Sequence, residues 1–215
     1  MMIKINPAFD RLFGGGLRAG VLTQVYGPPG SGKTNLALIA SAEIAKERKV
    51  IYVDPEGGFS TDRMRQITQG ALHSVLDKIL LVEPTTFEQQ KKALERLEDL
   101  VPNEQAGLVV MDSIALLYRI LEERDIRMYG RMLAQLLRIA RKYEIPVLMT
   151  NQVYTNTDTG QITPVGGQIN NYWSKVIVEL TSEGSRRFAV IRKHLHHQVG
   201  GKTPFKIISE GIQLI

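Results

Sequence analysis

The chain contains no cysteine. Disulfides and thiolate metal sites are therefore excluded, and the absence fits a reducing compartment. Nowhere do about eighteen apolar residues run together, so no membrane-spanning helix is expected. Met1–Phe13 carries no secretory signal. Acid is absent from two long stretches, residues 126–143 and 184–209. Over the whole chain 27 Lys and Arg stand against 22 Asp and Glu, a net charge of +5, which mildly favours a polyanionic partner. The expectation is a soluble, cytoplasmic, nucleoid-associated protein with no membrane partner.

What is present is enough apolar residue, 43% of 215, for one sizeable core spanning residues 1–215. Apolar runs at Val21–Tyr26, Val50–Val53, Ile79–Val82, Gly107–Met111 and Pro146–Thr150 read as buried strands. Between them, helical spacing recurs over Thr34–Lys46, from Ser60 or Thr61 to Thr68, over Thr86–Val101 and over Met128–Tyr143. Val153–Asn170 is polar and glycine-bearing and reads as a mobile loop. Lys175–Leu180, Phe188–Leu195, Phe205–Ile208 and Ile212–Ile215 then follow as strands with short turns. Alternation followed by a meander predicts an α/β fold, a mainly parallel sheet flanked by helices with antiparallel C-terminal strands. Ligands of such sheets sit at the carboxyl ends of the strands.

The first long strand runs straight into Gly27-Pro28-Pro29-Gly30-Ser31-Gly32-Lys33-Thr34-Asn35 and a helix. Gly27, Gly30, Gly32, Lys33 and Thr34 fit the phosphate-cradle pattern G-x-x-x-x-G-K-[ST], in the strand-before, helix-after context it requires. Glycines let successive N–H groups converge on phosphate oxygens, and the helix turns its positive end to the same anion. Lys33 supplies a cation for the β and γ phosphates, and the Thr34 hydroxyl is a hard oxygen ligand for Mg²⁺. Residues 27–35 are the candidate ATP site.

Asp112 closes the strand Leu108–Met111, where an acid beside the cradle can hold the metal through water. Glu56 follows the second strand; from the residues alone it is equally a general base and a turn glutamate. Gln152 follows the fifth strand, where an amide can donate to a γ phosphate or simply begin a polar loop. The acid-free stretches hold Arg127, Arg131, Arg138, Arg141 and Lys142 in one, and Arg186, Arg187, Arg192, Lys193, Lys202 and Lys206 in the other. They are candidate phosphate contacts or, equally, solvated faces. His194 and His196 are expected on one strand face, a weak start for a metal pair.

Together these residues resemble the RecA/RadA recombinase superfamily. Leu12–Gly16 with its triple glycine, Gly27–Thr34, Tyr52–Phe59, Leu108–Arg119, Thr150–Val153 and Pro164–Asn170 match in family order. The resemblance implies a RecA-like P-loop core. It makes Lys33 and Glu56 catalytic, with Gln152 as γ-phosphate sensor. It makes Thr34 and Asp112 the metal site. It implies a first DNA-binding segment over Arg119–Gly130, with Arg124, Arg127 and Arg131. A second would lie over Val153–Asn170, with Gly166 and Gly167. Arg192–Gly200 looks like the segment that closes over a neighbouring ATP in family filaments, and Arg192, Lys193 and His194, from the basic stretch, are further candidate DNA contacts. The chain starts at the core, so the N-terminal helical DNA-binding domain of strand-exchange RadA proteins is expected to be absent, along with their Phe-x-x-Ala assembly motif. The pattern is similar to the short archaeal RadB paralogues.

The resemblance implies ATP and Mg²⁺ as cofactors and an ATP- and DNA-binding accessory role in recombination and repair. Hydrolysis would be weak and strand exchange inefficient. The implied partners are single-stranded or branched DNA, a RadA-type recombinase, a Holliday-junction resolvase, or a second copy in a homodimer. Two rivals stay open: an active RadA-like strand-exchange ATPase, and a KaiC-like regulatory ATPase or kinase that does not bind DNA.

Overall fold

A computed structural model describes residues 1–123, 125–155, 162–184 and 186–215. Strand β1 (Met2–Ile3) leads into helix α1 (Pro7–Leu12). Asn6 caps this helix by accepting from the Phe9 N–H, and Pro7 fills a first-turn position where no N–H partner is needed. Strand β2 (Leu17–Arg18) returns to pair antiparallel with β1. Strand and helix then alternate through β3 (Leu22–Tyr26), α2 (Lys33–Ile44), β4 (Val50–Val53), α3 (Thr61–Thr68) and α4 (Leu72–Leu76). Next come β5 (Ile79–Val82), α5 (Phe87–Asn103), β6 (Leu108–Met111), α6 (Leu116–Arg119), α7 (Ile126–Lys142) and β7 (Val147–Asn151). The chain continues through β8 (Val153–Thr155), β9 (Ile162–Pro164) and α8 (Gln168–Trp173). It ends in β10 (Val176–Glu183), β11 (Arg186–Lys193), β12 (Lys202–Ile208) and β13 (Gly211–Leu214).

Among the described residues nine strands make one sheet, in the order β13-β12-β11-β10-β3-β7-β6-β4-β5. From β10 to β5 every neighbour is parallel; β10 to β13 pair antiparallel. The expected parallel core with an antiparallel edge is present. Successive strand residues feed opposite faces. Val25, Val50, Tyr52, Leu108, Val110 and Leu148 pack with α1 and α2 on one side. Leu22, Ile51, Val53, Val109, Met111, Val147 and Met149 pack with α5, α6 and α7 on the other. Both faces are dry, which is why these strands read as continuous apolar runs. Helix α2 is buried over Leu36–Ala42, on nearly all sides, as a helix between the sheet and further elements must be. Among the described residues no helix is long and apolar enough to cross a membrane.

Two expectations fail. Val153–Asn170 is not one loop: β8 pairs antiparallel with β9, and α8 opens after Gly167. Pairing with each other supplies the order that three-residue strands do not announce in sequence. The middle of that stretch, residues 156–161, lies outside the described residues. His194 and His196 share no strand face, because β11 stops at Lys193.

Candidate nucleotide and nucleic-acid site

The parallel strands β3, β4, β6 and β7 lie side by side and deliver their carboxyl ends to one edge of the sheet. From β3 the chain turns at Gly27, where a Cβ would lie 2.5 Å from the Leu180 carbonyl oxygen. Gly30 and Gly32 take φ of 72° and 106°, in the left-handed region open to glycine. Gly32 caps α2 with no side-chain bond, so the first N–H groups of α2 are left for an anion. Ser31 Oγ and Asn35 Nδ2 are buried without a partner. A cradle with open amides and orphaned polar atoms fits a phosphate ligand. Lys33 Nζ donates to the Gly27 and Pro28 carbonyls at 2.9 and 3.0 Å. Burial pulls its pKa down, against the opposing pull of Glu56 and Asp112.

Asp112 stands beside the cradle at the end of β6, 2% exposed. It accepts from the Tyr52 hydroxyl at 2.8 Å and from the Thr150 hydroxyl. Thr34 adds a third side-chain hydrogen bond. Burial raises the Asp112 pKa, and the three hydroxyl donors counter it. A carboxylate bonded to a cradle hydroxyl is a hard oxygen set that fits Mg²⁺. The Asp112–Ser113 peptide is cis.

Glu56 is no free loop glutamate. Buried Asp54 accepts from the Glu56 N–H at 3.2 Å and from the Phe59 N–H at 2.7 Å, folding the turn after β4. Glu56 Oε1 then accepts from the Ser113 hydroxyl and from Gln152 Nε2, the latter at 2.7 Å. Gln152 Oε1 accepts from the Arg119 guanidinium, which lies 5.4 Å from the Tyr154 ring centroid. Glu56 and Gln152, 96 residues apart, are thus in direct contact, and the line continues from Gln152 to α6 and the β8–β9 hairpin.

The nucleic-acid candidates are spread more widely. Arg127 and Arg131 are exposed on α7. Gly166 and Gly167 form the turn before α8, with φ of 84° and 49°. Arg124 lies outside the described residues. Arg192 pairs with buried Glu179 at 2.5 Å, and Lys193 donates to the Asn171 carbonyl. His194 Nδ1 accepts from the His196 and His197 N–H groups, both at 3.0 Å, and its ring meets His197 edge-on. Nδ1 is thereby occupied, and among the described residues no group of three or more acids and histidines could hold a metal.

Sequence reasoning missed Ser113, Tyr52 and Thr150 around the two acids, and the part played by Arg119. It also missed Arg63. That guanidinium donates to Asn35 Oδ1 at 2.7 Å and to the carbonyls of Ile208, Ser209 and Gly211, tying the helix of the cradle to the β12–β13 turn. Its partners lie up to 148 residues away, and no local pattern marks them.

A model of the Rad51 family matches residues 2–214. The chain is 38% identical to the DNA repair and recombination protein RadB of Methanothermobacter thermautotrophicus, over 98% of this chain and 94% of that protein. It is 39% identical to RadB of Methanoculleus marisnigri, over 98% of this chain and 96% of that one. Among solved structures, a crystal structure of the RadB recombinase is similar with a TM-score of 0.84 and 39% identity, over 99% of this chain and 98% of that one.

Proposed function

The chain belongs to the Rad51 family, and from that premise we propose that it is a RadB-like protein of DNA repair and recombination whose affinity for DNA is set by bound ATP. The observation that carries this reading is the line Glu56–Gln152–Arg119–Tyr154. It joins a side chain at the cradle to the hairpin after β7.

Residues 27–35 would hold the triphosphate, with Thr34 and Asp112 holding Mg²⁺. The metal, when bound, supplies positive charge that neutralises the phosphate oxygens. The Lys33 ammonium, now spent on two carbonyls, is released to a phosphate oxygen. Gln152 Nε2 exchanges Glu56 for the γ phosphate. Freed of the amide, the Glu56 carboxylate can take a proton from water. In the present arrangement Oε1 already accepts two hydrogen bonds, which supports slow hydrolysis. Arg127, Arg131, Gly166, Gly167, Lys193 and His194 would contact DNA. A RadA-type recombinase and a Holliday-junction resolvase are the protein partners this reading carries over.

The test is DNA binding at several salt concentrations by wild type, Lys33→Ala and Gln152→Ala, with and without Mg·ATP. ATP should tighten wild-type binding and leave both variants unchanged. Log affinity should fall with log salt by about 0.7–0.9 per phosphate contact. Variants that respond to ATP as wild type does refute the coupling, and a flat salt response refutes the DNA contacts.

A further inference from the structure

Asn151 is the last residue of β7 and the neighbour of Gln152. Tyr129 lies in the first turns of α7, and Asn170 lies in α8, just beyond Gly166-Gly167. All three are fully buried. They form one directed hydrogen-bond chain. Asn151 Nδ2 donates to the Val165 carbonyl at 2.8 Å and to the Tyr129 hydroxyl oxygen at 3.4 Å. The Tyr129 hydroxyl donates to Asn170 Oδ1 at 3.1 Å. Asn170 Nδ2 donates to the Val165 and Gly167 carbonyls at 2.6 and 3.2 Å.

The ring is clamped as well. A Cβ on Gly166 would lie 2.4 Å from Tyr129 Cε1, so backbone and ring are in contact. The Tyr118 ring, from α6, lies 5.0 Å from that of Tyr129. Three segments therefore meet at one phenol: the strand ending beside the candidate sensor, the helix whose first turn closes Arg119–Gly130, and the turn carrying Gly166 and Gly167. A buried polar chain of this kind cannot slide. Moving one member leaves another unpaired in a dry site, so the segments shift together.

We propose that Tyr129 is the positioning residue through which the state of Gln152 reaches both candidate DNA segments. This rests on the coupling reading given above. When Gln152 leaves Glu56 and Arg119, the backbone at residues 151–152 turns with it. Asn151 then passes the turn to Val165 directly, and to Asn170 and α7 through the Tyr129 hydroxyl. The Asn151 Oδ1 atom, buried and unpartnered, is free to take up a bond in the second arrangement.

The test compares DNA affinity with a non-hydrolysed Mg·ATP analogue and with Mg·ADP. Wild type should show a ratio within the about 5–150-fold range of linked sites. Tyr129→Phe keeps the ring and removes the hydroxyl. Its ratio should fall to about twofold or less while nucleotide affinity stays unchanged. Tyr143→Phe is the control. It removes a hydroxyl that donates to the Glu98 carbonyl at 2.6 Å at the far end of the same helix, and should keep the wild-type ratio. The double variant Gln152→Ala/Tyr129→Phe should lose nothing beyond Gln152→Ala, as members of one path do. Should Tyr129→Phe not fold, Asn170→Ser carries the same test. A wild-type ratio retained in Tyr129→Phe overturns this proposal alone. A ratio retained in Gln152→Ala, or a wild-type ratio near one, overturns the coupling reading and this proposal with it.

Discussion

Replacing Asp112 by Asn separates the two jobs given to this carboxylate. The change keeps the shape and removes the charge. Asp112 is 2% exposed, and burial opposes its ionised form. Relief of that cost stabilises the variant. Against it, the new NH₂ cannot accept, so one of the hydroxyls of Tyr52, Thr150 and Thr34 must turn round or be left unpaired in a buried site, at about 1–3 kcal/mol. Without nucleotide the variant should therefore melt at or near the wild-type temperature. With nucleotide the two should part. A ligand at a hundred times its dissociation constant stabilises the fold by about 2.7 kcal/mol. At about 2–4 °C per kcal/mol for a chain of this size, wild type should melt about 5–11 °C higher with saturating Mg·ATP analogue. Part of that rise should vanish in EDTA. In Asp112→Asn the difference between Mg²⁺ and EDTA should disappear. Scanning fluorimetry of the four conditions decides the matter. If the variant keeps the full Mg²⁺ increment, Asp112 does not hold the metal. If it melts far below wild type without nucleotide, the carboxylate is a structural anchor and the argument from burial is wrong.

The contact between Gly166 and the Tyr129 ring gives a second expectation. Gly166→Ala must place a side chain at φ 84° and against a fully buried ring that also packs on Tyr118. Left-handed strain of about 1–2 kcal/mol adds to overpacking of about 1–3 kcal/mol. Gly167→Ala meets nothing within 4 Å and should cost backbone strain alone, about 1–3 kcal/mol at φ 49° and ψ −128°, so denaturant titration should rank Gly166→Ala below it. The third concerns acid. Burial, His197, His196 and Arg18 lower the pKa of His194 from its ordinary 6.5, while its bond to the Phe13 backbone resists. Its folded pKa thus lies below the unfolded one. Its contribution to stability is complete above about pH 6.5 and is lost as pH falls through the lower, folded value. Protonation at Nδ1 would also expel the His196 and His197 amides. Their hydrogen-exchange protection should fall together over that window, and His194→Gln should show no such step. Protection that stays level in wild type would refute the assignment of Nδ1 as the acceptor.

The parallel core was legible because both its faces are dry. Val50–Val53 and Leu108–Met111 have no charged or amide member, and in a chain with mixed charge such runs have few other uses. The cradle was legible because its geometry rests on residue types that no side-chain substitute can imitate, glycine at positive φ above all. Helix α1 left a signal that went unread, Asn6 followed by Pro7, because six residues are too few for periodicity to show. The β8–β9 hairpin left none. Three-residue strands gain their order from pairing, and polar residues such as Thr155 and Thr163 are as common in turns. The candidate site divided along the same line. Glu56 and Gln152 could each be suspected alone, but their contact spans 96 residues and is made by the sheet. The Arg63 guanidinium has one local partner, Gln66 Oε1 at 2.7 Å, which gives no hint of its bonds to backbone carbonyls of the C-terminal turn.

On the proposed reading, the contact between Glu56 and Gln152 would also bound how well the protein tells a triphosphate from a diphosphate. Three of the groups assigned to nucleotide and metal already have protein partners: Lys33 has two carbonyls, Thr34 has Asp112, and Gln152 has Glu56. At these three groups binding would exchange hydrogen bonds, whereas Ser31 Oγ, Asn35 Nδ2 and the cradle amides would gain new ones, and the gain at each exchanged group is a difference between two partners. For Lys33 the difference favours phosphate strongly, since a carbonyl carries no charge and the ammonium is partly desolvated where it stands. For Gln152 the exchange is between a carboxylate and a γ phosphate, both anionic, and the difference is small. A hydrogen bond to a charged group contributes about 1.5–3 kcal/mol in total, and only its excess over the Glu56 bond can discriminate. Even the whole of it would give about 10–150-fold. On the proposed reading the γ phosphate would be sensed with modest free energy, the scale on which one buried phenol could decide whether the signal reaches the residues beyond it.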